Sequence, residues 1–218
     1  MSEIKACLFD LDGVIVDTAK YHFKAWKRLA NELGIDFTEK ENEQLKGVSR
    51  VESLQLILKW GGLEKNDSEL QNLATLKNTW YVDMINKMKA DEILPGAREL
   101  LNELRANGIK IALGSASKNS EAILFKINLY DAFDAIVDGT IVSKSKPDPE
   151  VFLKGAELLG EKPENCIVFE DAVAGVEAAI SGGMRVVGIG ESQTLYKADW
   201  VVSGLDQINL KKLQNQLS

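Results

Sequence analysis

Two hydrophobic patterns alternate along this chain. Short apolar runs are typical of buried strands, and apolar residues that recur every three or four positions indicate helices. We predict strands in the apolar runs at 5–9, 109–114, 135–137, 166–169 and 185–189. Between them lie helical patterns at 97–106, 120–127, 149–159 and 173–180. Strands that alternate with helices favour a parallel sheet covered on both faces.

The stretch 18–90 interrupts this alternation. Three helical stripes run through it, around Trp26, Leu54 and Leu73, and it contains no strand-like run. We therefore predict an α/β fold with a doubly wound, Rossmann-like parallel-sheet core domain over 1–17 and 91–218. An all-helical cap domain is expected to be inserted over 18–90. In such sheets ligands bind beyond the carboxyl ends of the strands.

The composition is that of a globular protein, with 218 residues of which 45% are hydrophobic and 27% charged. No apolar run approaches the ~20 residues of a membrane span. The first residues lack the pattern of a secretory signal, so we expect a cytoplasmic protein. Cys7 and Cys166 lie in strand-like runs, which favours buried free thiols. The net charge of −7 argues against nucleic acid as a partner. We expect small-molecule partners, no membrane contact and a monomer.

The chain contains a single histidine, His22. Metal sites built from several histidines are thereby excluded, and a Ser-His-Asp triad could use only this residue. A lone histidine on an amphipathic helix is usually structural, and we expect a hydrogen-bonding role for His22 rather than direct proton transfer. The chemistry must then rest on carboxylates, lysine and a metal ion.

Four groups of polar residues stand at or beside the ends of predicted sheet strands. They are Asp10 with Asp12, Ser115 to Ser117, Lys146, and Glu170 with Asp171. Two carboxylates that leave one strand could serve as a nucleophile and as a general acid and base. Hydroxyls and a lysine could hold phosphate oxygens, and paired acids suit Mg²⁺. Taken alone, each group also fits an ordinary strand-end turn or helix cap.

In this order the four groups resemble the motifs of the haloacid dehalogenase superfamily, over the whole predicted core domain. The resemblance implies that Asp10 is a nucleophile that becomes an aspartyl-phosphate, and that Asp12 is the general acid and base. It also implies one Mg²⁺ per active site, held by Asp10, Asp12 through its carbonyl, Asp171 and Glu170. The transferring phosphoryl group would be held by Ser115, the Ala116 amide and Lys146.

The cap sequence contains a second candidate anion site. Ser49 and Glu52 have the spacing of a capping box, which predicts a helix that begins at Arg50 with its free amides exposed. Arg50 and Lys46 stand beside this helix start, and Gly47 permits a close approach. A phosphatase needs one phosphate site, whereas a mutase must grip a bisphosphate at both ends.

The chain is also similar, along its whole length, to the bacterial β-phosphoglucomutases of that superfamily, in segments such as 9–15, 45–50 and 115–119. The resemblance implies interconversion of β-glucose 1-phosphate and glucose 6-phosphate, with β-glucose 1,6-bisphosphate as intermediate and priming phosphoryl donor. Thr18 and His22 would lie at the hinge that couples cap closure to Asp12. The implied substrate-binding residues are Trp26, Lys46, Gly47, Val48, Ser49, Arg50, Lys77, Asn78, Ala116, Ser117, Lys118 and Asn119.

Two smaller expectations concern the frame of the site. Gly114, before Ser115, departs from the family pattern and is expected to loosen its strand end. Trp60 and Trp80 are expected in the cap core rather than against a sugar.

Three alternatives stay open beside the mutase. The first is a Mg²⁺-dependent sugar-phosphate phosphatase of the same superfamily, which would lose its aspartyl-phosphate rapidly to water. The second is a haloacid dehalogenase, which needs neither Asp12 nor a metal; the presence of Asp12, Glu170 and Asp171 argues against it. The third is a sugar-phosphate sensor without activity, which the presence of all four groups disfavours.

Overall fold

The computed structural model describes residues 3–217. Within them the strands are β1 Ala6–Phe9, β2 Lys110–Gly114, β3 Ala135–Val137, β4 Cys166–Glu170, β5 Arg185–Ile189 and β6 Trp200–Val202. The helices are α1 Ala19–Glu32, α2 Glu39–Glu43, α3 Arg50–Trp60, α4 Asp67–Ile85, α5 Ala97–Ala106, α6 Ser120–Lys126, α7 Glu150–Leu159, α8 Val173–Ser181 and α9 Leu210–Leu217.

All six strands pair in parallel in one sheet, in the order β3-β2-β1-β4-β5-β6. The chain winds outward from β1 to β3 and then returns to β4 on the other side of β1. The reversal between β1 and β4 is the switch point at which doubly wound sheets bind ligands. The predicted fold class is confirmed.

Helices cover both faces of the sheet. Cys7 and Phe9 pack into a core with α5, α6 and α9, while Ala6 and Leu8 pack on the opposite face against α7 and α8. Because β1 is buried on both faces, its sequence is a continuous apolar run rather than an alternating one. This is why the central strands could be read from the sequence.

The cap consists of α1 to α4 and has a core of its own, which includes Trp26, Leu54 and Ile57. The chain leaves the sheet after β1 and comes back beside its own exit, where Leu94 N donates to Ile15 O at 2.9 Å. The cap is therefore an insertion with adjacent ends. Its boundaries at 18 and 90 stay a prediction.

Some elements differ from the expectations. The short strand β6 and the helices α2 and α9 were not predicted. Trp60 is 37% exposed, because it ends α3 at the cap surface. A Cβ on Gly114 would lie 2.8 Å from the Phe152 ring, so this glycine makes room for α7. Within residues 3–217, no helix combines the length and the apolar character that a membrane crossing requires.

Candidate active site

The ends of β1 and β4 place the first carboxylates side by side. Asp10 follows β1 directly and continues the ladder, with its N–H donating to Phe169 O at 3.0 Å. The chain then turns at Gly13, whose φ is 83°. A Cβ at Gly13 would lie 2.2 Å from Asp171 Oδ2. Only glycine therefore allows the loop after Asp10 and the carboxylate of Asp171 to come this close.

Lys146 is the cationic centre of the site. Its Nζ lies 2.5 Å from Asp10 Oδ1, 2.5 Å from Glu170 Oε1 and 3.1 Å from Gly114 O. Burial lowers the pKa of Lys146, but the carboxylates of Asp10 and Glu170 outweigh burial and raise it above its ordinary value. The ammonium thus stays charged beside the carboxylate that would carry a phosphoryl group on Asp10.

Glu170 is held by two partners. Its Oε1 accepts from Lys146, and its Oε2 accepts from Ala172 N at 2.8 Å. Burial raises the pKa of Glu170, while Lys146 acts to lower it. The carboxylate therefore orients Lys146, a role that the sequence did not indicate.

Asp12 lies where it can exchange a proton with a ligand. Burial, and next the Asp10 carboxylate, raise the pKa of Asp12 to about 8. Its Oδ1 has no hydrogen-bond partner among residues 3–217, and it borders the cavity described below. At neutral pH Asp12 therefore carries a proton, as a general acid requires.

His22 and Lys77 form a pair beside Asp12. Lys77 Nζ lies 2.8 Å from His22 Nδ1, and His22 Nε2 lies 3.9 Å from Asp12 Oδ2. Burial lowers the pKa of His22 and of Lys77 well below their ordinary values, with Lys77 and Arg50 adding to the effect on His22. A neutral His22 is thus hydrogen-bonded to Lys77, whereas its distance of 3.9 Å from Asp12 Oδ2 is too long for a hydrogen bond.

A cavity of about 620 Å³ lies between cap and sheet. Of the site residues expected from the sequence, those that line it are Asp10, Asp12, His22, Trp26, Lys46, Gly47, Val48, Ser49, Arg50, Lys77, Ser115, Ala116, Ser117, Lys118, Glu170 and Asp171. The remaining four lie close by without lining it. Lys146 contacts Asp10, and Thr18 is a buried residue directly ahead of α1 in the chain. Asn119 Nδ2 donates to Asn78 Oδ1 at 3.1 Å across the cap–core boundary.

The start of α3 faces the carboxylates across this cavity. The predicted capping box is confirmed: Ser49 N donates to Glu52 Oε2 at 3.4 Å, and Glu52 N donates to Ser49 Oγ at 3.4 Å. Arg50 is the first helical residue and lines the cavity. Lys46 Nζ lies 3.4 Å from Asp171 Oδ2. One cavity is thus lined both by the carboxylates at the strand ends and by the start of α3 with Arg50.

The acidic residues fit a magnesium ion. Burial, then Glu170 and Asp10, raise the pKa of Asp171 well above its ordinary value, so these carboxylates repel one another. Within residues 3–217, no three His, Cys, Asp or Glu side chains already form a metal-binding group. Mg²⁺ commonly uses one or two carboxylates, with water and other oxygens completing the shell. Asp10, Asp171 and a backbone carbonyl match that donor chemistry.

Several cavity residues were missed in the sequence. Asn42 and Ser53 are buried polar residues of the cap that line the cavity, with Gln71 and Thr75 nearby on α4. Ser53 stands one helical turn after Arg50, which is the one signal that could have identified it. The Tyr81 ring packs against His22 at an angle of 37°, with ring centroids 4.1 Å apart, a contact that no sequence spacing indicates.

Comparison with known proteins assigns the chain to a family. A family model described as haloacid dehalogenase-like hydrolase matches residues 4–183. The chain belongs to the haloacid dehalogenase-like hydrolases. The predicted superfamily is thus confirmed.

Relatives within the haloacid dehalogenase-like hydrolases include mutases and phosphatases. Beta-phosphoglucomutase of Bacillus subtilis (strain 168) is 45% identical over 98% of this chain and 95% of its own length. A crystal structure of beta-phosphoglucomutase from Clostridium difficile matches with a TM-score of 0.95 and 44% identity, over 98% of this chain and 96% of that one. Phosphorylated carbohydrates phosphatase of Thermotoga maritima is 35% identical over 85% of each chain.

Proposed function

We propose that this protein is a β-phosphoglucomutase, an isomerase that interconverts β-glucose 1-phosphate and glucose 6-phosphate. The observation that carries the proposal is that one cavity is lined both by Asp10 and by Arg50 at the capped start of α3. A bisphosphate can be held at both ends there. The identity with two beta-phosphoglucomutases over nearly their whole length supports the same activity.

Asp10 attacks a phosphoryl group of β-glucose 1,6-bisphosphate and becomes an aspartyl-phosphate. Asp12 donates its proton to the leaving sugar oxygen and recovers one when a sugar hydroxyl attacks the phosphoenzyme. Lys146, Ser115 and the Ala116 amide hold the oxygens of the transferring group, because this reaction is accelerated mainly by positioning and charge neutralisation.

The metal completes this charge balance. When bound, Mg²⁺ would supply positive charge to the transferring group. Asp10, Asp171 and the Asp12 carbonyl would hold the ion, and Glu170 would bind it directly or through water. We propose one Mg²⁺ per site. Because Glu170 already accepts from Lys146 and Ala172 N, it would share its oxygens with these two partners when it holds the metal.

The second phosphate is bound on the cap side. Arg50, Ser117 and Asn119 take the phosphate that does not react, and Lys118 stands beside them at the cavity wall. The sugar lies against Trp26, the segment from Lys46 to Ser49, Lys77 and Asn78. Thr18 and His22 couple the closing of the cap to Asp12. After the first transfer the bisphosphate reverses its orientation, so that its other phosphate faces Asp10. β-Glucose 1,6-bisphosphate is also the donor that primes the enzyme.

The cellular setting is proposed on more general grounds. Both cysteines, Cys7 and Cys166, are free and buried, which suits the reducing cytoplasm. The protein is proposed to work there as a monomer on small sugar phosphates, without nucleic acid or membrane partners.

A sugar-phosphate phosphatase is the alternative function. The Thermotoga maritima relative favours it, since the two activities share Asp10 and Asp12 and differ in whether water or a sugar accepts the phosphoryl group. The paired anion sites of the cavity favour the mutase.

Phosphorus NMR separates the two. The enzyme is mixed with β-glucose 1-phosphate, Mg²⁺ and a trace of β-glucose 1,6-bisphosphate, with Asp10→Asn as the control for contaminating activity. A mutase converts the substrate signal into glucose 6-phosphate and needs the bisphosphate to start. Release of inorganic phosphate as the main product, without dependence on the primer, would replace the mutase with the phosphatase.

A further inference from the structure

We propose that Gly175 is a positioning residue for phosphoryl transfer, acting through Glu170 on Lys146. The inference rests on the proposed function only in taking Asp10 as the nucleophile. Gly175 touches neither the cavity nor the reacting groups. What it supplies is the space in which the Glu170 carboxylate lies.

The space is defined by the first turn of α8. Gly175 is the third residue of that helix and is buried. A Cβ built on it would lie 1.9 Å from Glu170 Oε1 and 2.0 Å from Glu170 Cδ. Real Cβ atoms do not approach other atoms this closely, so any side chain at 175 must displace the carboxylate.

Glu170 has no free space in which to accommodate such a shift. The residue is 1% exposed, Oε2 is fixed by Ala172 N at 2.8 Å, and Oε1 is the oxygen that receives Lys146. The atom closest to the missing Cβ is therefore the one that orients the lysine. The start of α8 also stabilises a negative carboxylate at this point.

Loss of the Glu170 contact changes the state of the nucleophile. In the native arrangement the Lys146 ammonium is shared between Asp10 Oδ1 and Glu170 Oε1, each at 2.5 Å. With Glu170 displaced, Lys146 pairs with Asp10 alone and moves away from the position that serves the transferring phosphoryl group. We expect a slower chemical step with little change in the binding of the remote phosphate.

The test is Gly175→Ala, with Gly182→Ala as the matched control. Gly182 ends the same helix with φ −79°, and a Cβ there would meet its nearest atom at 3.3 Å.

Phosphorylation of Asp10 by acetyl phosphate and Mg²⁺ is followed by intact-protein mass spectrometry. Gly175→Ala should slow it by roughly a hundredfold, the cost of a misplacement of about 1 Å. In steady state, kcat should fall while KM for β-glucose 1,6-bisphosphate stays within about twofold. Gly182→Ala should match the wild type.

A second background makes the route through Glu170 testable. In a Glu170→Ala protein the displaced carboxylate is absent, so adding Gly175→Ala should cost no further rate and no further loss of thermal stability. Equal losses in both backgrounds, in rate or in the thermal unfolding midpoint, would overturn the proposal. So would a Gly175→Ala protein that behaves as Gly182→Ala does. Because acetyl phosphate reports only the phosphorylation of Asp10, the test does not depend on whether a sugar or water is the final acceptor.

Discussion

At the residue scale, two aspartates two positions apart are given different chemistry by their neighbours. Asp10 faces the Lys146 ammonium at 2.5 Å. Among residues 3–217, no ammonium forms an ion pair with Asp12, and burial together with Asp10 raises its pKa to about 8. These different environments suit the roles that we propose, Asp10 as nucleophile and Asp12 as proton donor, because environments that separate the pKa values of two carboxyl groups also favour different roles for them.

Asp12→Asn should slow both half-reactions with sugar phosphates by ~10²-fold or more, because no group remains to exchange the proton of the sugar oxygen. Acetyl phosphate should be affected much less, since acetate leaves without a proton. Rapid-quench measurement of phosphoenzyme formation from the two donors gives the comparison, and the thermal unfolding midpoint checks the fold. Equal slowing with both donors would mean that Asp12 acts on Asp10 rather than on the leaving group.

A half-buried tyrosine near the hinge gives the protein a pH-dependent contribution to stability. Tyr21 donates to Glu92 Oε2 at 2.5 Å, and Lys20 Nζ lies 3.0 Å from the same oxygen. Burial, then this hydrogen bond, raise the pKa of Tyr21 from 10.0 to about 12. The unfolded phenol ionises first, so the contribution is fully present below pH ~10 and is lost as the pH rises to ~12.

Tyr21→Phe should therefore be less stable than the wild type at neutral pH, and the difference should shrink between pH ~10 and ~12. Urea unfolding at a series of pH values measures it. Tyr196, which is 71% exposed, provides the control substitution Tyr196→Phe, and no such trend is expected there. A stability difference for Tyr21→Phe that stays constant across this pH range would contradict the assignment.

The sequence revealed the charged residues of the site but not their partners. Asp10, Lys146 and Glu170 could be found because each stands at the end of an apolar run or in a proline turn. Their contact could not, because it joins side chains 136 and 24 positions apart in the chain. The pairing of Asn78 with Asn119 was missed for the same reason.

At the element scale, local signals decided which parts of the fold could be predicted. The strands β1, β2, β4 and β5 are apolar because they are buried on both faces. In contrast, β6 is an edge strand of which only Val202 is buried, and α2 has only five residues, too few for a periodic pattern. The start of α3 was predictable because a capping box is a local motif, and it is this helix start that carries Arg50.

Arg50→Ala should cost several kcal/mol of transition-state stabilisation with β-glucose 1,6-bisphosphate, in the range of hydrogen bonds to charged groups. With acetyl phosphate, which has no second phosphate, the loss should be much smaller. Arg50→Lys should restore little, since lysine lacks the planar fork of donors. Arg28→Ala removes an exposed arginine of α1 and serves as the cap control. The ratio of the two losses in kcat/KM is the measurement, and equal losses for both donors would remove the second phosphate site.

At the scale of the whole molecule, cap and core meet around the cavity through a few polar contacts. Lys46 reaches Asp171 at 3.4 Å, and Asn119 donates to Asn78 at 3.1 Å. Water that enters the cavity would compete with the sugar for the aspartyl-phosphate. Under the proposed function we therefore expect the closeness of cap and core to govern how much phosphoryl is lost by hydrolysis.

Asn78→Ala removes one of these contacts and should shift the protein toward hydrolysis. A hydrogen bond of about 1 kcal/mol corresponds to roughly a fivefold change in an equilibrium, so the ratio of phosphoryl transfer to water over transfer to glucose 6-phosphate should rise by up to that factor. Asn72→Ala changes an exposed residue of the same helix α4 and is the matched control. Adding Asn78→Ala to an Asn119→Ala protein should change this ratio little further, because the contact between the two amides is already lost there. Small-angle scattering with a metal fluoride and glucose 6-phosphate should report a less compact Asn78→Ala protein. Additive effects, or an unchanged ratio, would mean that the two amides act separately on the substrate and that this contact does not hold the cap closed.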